Sequence, residues 1–141
     1  MANVINRSGI QPEVRDELRN LGAALSGNII WVVTPSTVST VATSSAWTRT
    51  VMVSLEDGSG NVHTWFTKTF SGGISIADTS TAGTASIVST TLAIVNGRAS
   101  ITISGTAASW LANQTDTLTV AQQTINGVTV ASVTSVETFT A

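Results

Sequence analysis

The chain has no cysteine, no tyrosine, one histidine, one lysine and two prolines in 141 residues. Without cysteine there is no disulfide framework, no thiolate metal site and no thiol nucleophile. A lone histidine, His63, has neither a second histidine nor a cysteine with which to build a metal cluster or a Cys-His pair. Charge is also scarce. Asp, Glu, Lys and Arg make up 10% of residues and the net charge is −2, so no basic stripe exists to neutralise a run of phosphates, and nucleic acid is not expected as a partner. No apolar run approaches the ~20 residues that cross a bilayer. The opening MANVINRSGIQPEVRDELRN puts Arg7 and a polar stretch where an export signal needs an apolar core. The expectation is a chain made in the cytoplasm with no membrane partner.

What is abundant is hydroxyl. There are 24 Thr and 18 Ser, together with 42% hydrophobic residues, and the mean hydropathy is +0.30. A Ser/Thr-rich stalk stays disordered because it has too little apolar surface to bury; this chain has enough, so folded β-structure with hydroxyls on one face of its strands is expected.

The charges are unevenly placed. Six of the 14 fall in the first 20 residues, which divides the chain into a charged segment and a nearly neutral one. In QPEVRDELRNLGAALSGN, Pro12 suits a first helical position, Glu13, Asp16 and Glu17 complement the positive end of a helix dipole, and Gly27-Asn28 offers a stop. Val14, Leu18, Leu21 and Leu25 recur at helical spacing and form one apolar stripe. That stripe either packs on the chain's own β domain or docks on a partner subunit. Next, Ile29 to Val33 is a short β-branched run containing Trp31, broken by Pro35; it reads as an extended arm or as a first strand.

From Ala46 onward the pattern is all β. WTRTVMVSLEDGSGNVHTWFTKTF alternates through Val51, Val53 and Leu55, reverses at Asp57-Gly58-Ser59-Gly60 and returns through Val62, Trp65, Phe66 and Phe70, which predicts a hairpin. A short strand is expected at 74–78. In IVNGRASITISG, Asn96-Gly97 supplies the two positive φ angles of a type I′ turn, so Val95 and Arg98 should face each other, followed by Ala99, Ile101 and Ile103 in alternation. Leu118 and Val120, a second Asn-Gly turn at 126–127, and Val128 and Val130 complete the series. Seven or more short strands at spacings near ten residues, with no βαβ pattern, predict an antiparallel sandwich.

Candidate chemistry is thin. Glu56, Asp57, Asn61 and Asp78 carry oxygens of the kind calcium takes, but no D-x-D-x-D spacing is present and Glu56-Asp57 reads as turn chemistry. Asn113-Gln114-Thr115 fits a glycosylation sequon, a frequent accident in a Thr-rich chain. Asp116 is expected to bond backbone where the last strands begin. Gly72-Gly73 precede a strand, not a helix, so they form no phosphate loop. No catalytic residue, metal or cofactor is expected. The aromatics say more: Trp47 or Trp110 is expected to be the core tryptophan, Trp65 is a candidate exposed aromatic, and Trp31 joins Val14, Leu18, Leu21 and Leu25 as a candidate docking residue.

VMVSLEDGSGNV, then VNGRASITISG and DTLTV, resemble the bacterial immunoglobulin-like domains of the invasin type, which recur in bacterial adhesins and in tailed-phage virion proteins. The matching residues are Asp57 to Asn61, Gly97 to Ile103 and Thr117 to Val120, and the likeness spans roughly 46 to 140. HTWFTKTF stands where that family carries a proline-rich stretch, a departure at one sheet edge. The resemblance implies an all-β, immunoglobulin-like antiparallel β-sandwich, here at 46–141, preceded by a short N-terminal α-helix and extended arm at 1–45. It further implies a non-enzymatic phage protein that decorates and cements the capsid exterior. Its partner would be the major capsid protein lattice, on which it forms a homo-oligomer. The alternatives are a glycan- or receptor-binding adhesin module and a tail or neck subunit.

Overall fold

The structure is a computed structural model that describes residues 29–141 together with the backbone of Ile5–Asn6 and Gly9–Ile10. The expected helix, with Val14, Leu18, Leu21 and Leu25, lies outside the described residues. The two short N-terminal strands, β1 (Ile5–Asn6) and β2 (Gly9–Ile10), pair antiparallel.

The rest is all β, with no helix among the described residues. One four-stranded sheet has the order β3 (Ile30–Thr34), β5 (Trp47–Glu56), β10 (Arg98–Gly105), β8 (Ala85–Ile87). The other has the order β4 (Thr37–Val41), β14 (Val133–Thr140), β11 (Thr115–Val120), β7 (Ile74–Asp78). Every pairing is antiparallel except β14 with β4, which is parallel. Two smaller ladders join β6 (Lys68–Phe70) to β9 (Leu92–Ile94) and β12 (Gln123–Ile125) to β13 (Val128–Val130).

Alternation decides which face is buried. Trp31, Val33, Val51, Val53, Leu55 and Ile103 from the first sheet share one core with Ile74, Leu118, Val120 and Phe139 from the second. Burying each such side chain contributes about 1.5–3 kcal/mol, which is what holds the two sheets face to face. The outward positions are largely Thr and Ser, as the period-two pattern requires.

Three expectations change in the structure. Residues 30–41 are not a free arm. Trp31 and Val33 lie in phase with the core, so β3 pairs with β5, and at Pro35, which has no N–H to offer a ladder, the chain crosses to the other sheet and runs on as β4 beside β14. The sandwich therefore starts near residue 29, not 46. Second, the hairpin after Glu56 extends to a single bridge, Glu56 to Val62. The Asp57–Asn61 turn closes as expected, but the returning chain then covers the end of the sandwich, with His63 N–H donating to Leu55 O at 2.8 Å, and β5 takes β3 and β10 as its partners. Third, Trp31 is 3% exposed and meets Phe70 edge-on at 6.0 Å, which makes it a core residue and removes it from any docking face.

The Asn-Gly turns form as read. Asn96 and Gly97 have φ of 50° and 79°, and Val95 and Arg98 exchange backbone hydrogen bonds of 2.9 and 3.1 Å. Asn126 and Gly127 repeat these angles at 49° and 79° between β12 and β13.

Candidate functional site

Among the described residues a cluster of charged side chains lies inside the sandwich. Arg49 is in phase with Val51, Val53 and Leu55 on β5, Asp116 with Leu118 and Val120 on β11, and Glu137 with Ser135 and Phe139 on β14, so all three charges point into the core. Asp116 and Glu137 are direct cross-strand neighbours, and Asp78 of β7 lies on the other side of Asp116 in the same row. Arg49 reaches across from the opposite sheet. Its Nε–H donates to Asp116 Oδ1 at 3.1 Å, its Nη2 pairs with the same oxygen, and Nε lies 3.0 Å from Glu137 Oε2. Nη1–H donates to Ser135 Oγ at 3.0 Å, and Ser135 Oγ–H donates to Pro35 O at 2.6 Å, at the point where the chain crosses between sheets. Thr40 Oγ1–H donates to Glu137 Oε1 and ties in β4.

One guanidinium thus faces two carboxylates, with its side chain 9% exposed and theirs at 0% and 4%. Burial, opposed by Arg49 and reinforced by the neighbouring Glu137, raises the Asp116 pKa to about 6. Among the described residues Asp116 Oδ2 has no hydrogen-bond partner, and Glu137 Oε2 has none beyond its ion-pair contact with Arg49 Nε. A proton held by Asp116 brings the net charge of the cluster from −1 to zero. Contacts from Arg49 on one sheet to Asp116, Ser135 and Glu137 on the other make the cluster a strut between the sheets. The sequence reading placed Asp116 on backbone; the structure instead buries it against Arg49, because its strand phase points it inward. A charged residue on the apolar phase of each of three strands was the signal that could have found the cluster.

The other candidates are engaged elsewhere. Trp65 is half-buried against the core, its Nε1–H donates to His63 Nδ1 at 3.2 Å, and its ring meets Phe66 edge-on at 5.6 Å. The core tryptophans are Trp31 and Trp110, and Trp110 packs with Trp47 and Phe139 at 5.1 and 5.0 Å. Asp57 accepts from Ser59 N, Asn61 N and Asn61 Nδ2, and the Asn61 bonds, foremost, hold its carboxyl below the ordinary range. Glu56 accepts from Ser54 Oγ, and Asp78 caps Ala85 N. These carboxylates serve separate local tasks, and among the described residues no group of three or more His, Asp or Glu is placed to hold a metal. Among the described residues there is no helix long and apolar enough to cross a membrane.

A groove of about 310 Å³ opens along β10, lined by Ile74, Ile87, Ala93, Ala99 and Ile101 among others. It exists because β8 pairs only with Ile103–Gly105, and β9 leaves β10 after the Val95–Arg98 bridge to pair with β6. Leu55 N–H donates to Gly97 O, so in antiparallel alternation the Ser100 and Thr102 backbone groups face this open edge.

Compared with known proteins, the chain matches no protein-family model and no curated protein. Its function must therefore be argued from its own geometry.

Proposed function

We propose that the chain is a non-enzymatic, immunoglobulin-like structural module that decorates the exterior of a tailed-phage capsid and cements it. The observation that carries the reading is where its few charges go. Arg49, Asp116 and Glu137 are spent inside the core, while the outward positions of the two sheets are mostly hydroxyl. Such surfaces suit contact with other protein and leave catalysis without a convergent set of groups. The immunoglobulin-like assignment is supported by strand order: β3-β5-β10-β8 against β4-β14-β11-β7 corresponds to A-B-E-D packed on A′-G-F-C, with an A strand that changes sheets.

Residues 1–28 supply the docking element. They hold six of the 14 charges and the Val14, Leu18, Leu21 and Leu25 stripe, ahead of a sandwich that is complete from residue 29. Seated on several capsid subunits as a homo-oligomer, the protein adds buried interface to the assembled lattice and stabilises it by mass action, since it binds the lattice and not the separated subunits. A glycan-stacking role needs a bare aromatic face, and Trp65 is half-buried and bonded to His63. The test compares the full chain with residues 29–141 for co-sedimentation with capsids that lack the protein. Saturable binding by the full chain alone supports the proposal; equal binding by both moves docking to the sandwich, and binding by neither overturns the capsid role.

A further inference from the structure

The chain contains the same reactive pair twice. Val95-Asn96-Gly97-Arg98 and Ile125-Asn126-Gly127-Val128 each put Asn-Gly after a β-branched residue, and both adopt the same turn, with φ of 50° and 79° at one and 49° and 79° at the other. An Asn-Gly pair can modify itself. The glycine backbone nitrogen, having lost its proton, attacks the asparagine Cγ; the side-chain amide nitrogen leaves as ammonia and a succinimide ring closes. Water then opens the ring at either carbonyl, giving aspartate or isoaspartate. The net change replaces the side-chain –NH₂ with –OH by consuming one water, and no oxidant or cofactor takes part. Glycine favours the step because no Cβ shields its nitrogen. The step requires that this nitrogen be free to lose a proton and that the turn be free to move.

The two turns differ on both requirements. Gly97 is buried, its N–H donates to Phe66 O at 2.7 Å, and its carbonyl accepts from Leu55 N at 2.8 Å. Asn96 N–H donates to Thr67 Oγ1 at 3.1 Å, and a Cβ placed on Gly97 would sit 2.6 Å from His63 O, so the turn is clamped beneath the 62–67 segment. Gly127 is exposed, among the described residues no hydrogen bond engages its N–H, and a Cβ placed on it meets nothing within 4 Å. The β12–β13 ladder is anchored at both ends, by Val130 opposite Gln123 at its open end and by Ile125 opposite Val128 beside the turn, with Val130 1% and Ile125 2% exposed, while the turn residues Asn126 and Gly127 themselves are exposed.

We propose that Asn126 is a self-modification site, converted through a succinimide by Gly127, and that Asn96 is kept intact by its hydrogen-bonded, buried surroundings. The product adds a carboxylate to a hairpin whose residues 121–132 carry no charge. Isoaspartate also lengthens the turn backbone by one carbon, which the two-residue connection does not accommodate. The hairpin tip would thus change its charge and its shape as the protein ages.

The experiment ages the full chain in mildly alkaline buffer at physiological temperature and maps peptides by mass spectrometry, reading succinimide, aspartate and isoaspartate at each site. Modification at Asn126 is expected about tenfold or more faster than at Asn96, the protection that local hydrogen bonding and burial confer on a backbone N–H. In denaturant the two rates should converge, since the local sequences are so alike. Equal rates in the folded chain, or faster reaction at Asn96, overturn the proposal. So does a folded chain that modifies neither site while the denatured chain modifies both.

Discussion

Arg49 and Asp116 face each other from opposite sheets, with Arg49 Nε–H donating to Asp116 Oδ1 at 3.1 Å in a site where Asp116 is fully buried. Glu137 shares the same guanidinium, so the strut carries one more negative than positive charge when both carboxylates are ionised. Its energetics make the fold pH-dependent.

The native Asp116 pKa, about 6, stands above its ordinary value of 3.8, chiefly through burial. The folded state therefore binds a proton more readily than the unfolded chain, and the stability this confers is present below the unfolded value and lost as pH rises through about 6. Between pH 5 and pH 7.5 the loss should be on the order of 1–1.5 kcal/mol. Urea midpoints at the two pH values measure it, and Asp116→Asn should flatten the difference. Asp57, whose pKa is lowered, has the opposite sign: its contribution is present above the ordinary value and fades as pH falls below it.

Removing the cation leaves two carboxylates in the core. Arg49→Met should cost about 3–5 kcal/mol, the usual effect of breaking a buried pair, whereas replacing all three partners with apolar residues of similar volume should recover most of that loss. Thermal melts of the single and triple variants decide whether the strut contributes stability through charge or only through the penalty of an unpaired group.

Gly105 ends β10 against the Trp47 ring, and a Cβ there would lie 2.1 Å from Trp47 Cε2. Trp47 itself packs on Trp110 and Phe139 at 5.1 and 5.6 Å and has little room to move. Gly105→Ala should destabilise by about 1–3 kcal/mol through overpacking and shift the near-ultraviolet circular dichroism of the tryptophans.

Truncation separates the two parts of the N-terminal region. Residues 29–141 and the full chain should both melt cooperatively. Deletion through residue 41 should lose the cooperative transition, because it removes β3 and β4 and exposes one edge of each sheet. Circular dichroism melts of the two truncations test this.

Strand positions were legible wherever alternation met turn chemistry. The Asn96-Gly97 and Asn126-Gly127 turns, the strand at 74–78, and the inward Val51, Val53, Leu55 and Leu118, Val120 sets all follow from period two and positive φ. Strand partners were not legible. The choice of β5 for β3 and β10 over its own hairpin return is made by long-range packing, and the parallel seating of β4 on β14 joins residues about a hundred positions apart. The buried strut was hidden for a related reason. Arg49, Asp116 and Glu137 each look like a solitary charge, and only the sheet register sets them side by side.

The most direct test of the cementing role is the temperature at which capsids lacking the protein release their contents, measured with and without saturating full-length chain. A decoration protein that bridges neighbouring subunits should raise that temperature in step with occupancy and reach a plateau when the sites are filled. Saturable binding that leaves the release temperature unchanged would contradict cementing and reduce the protein to a passive surface attachment.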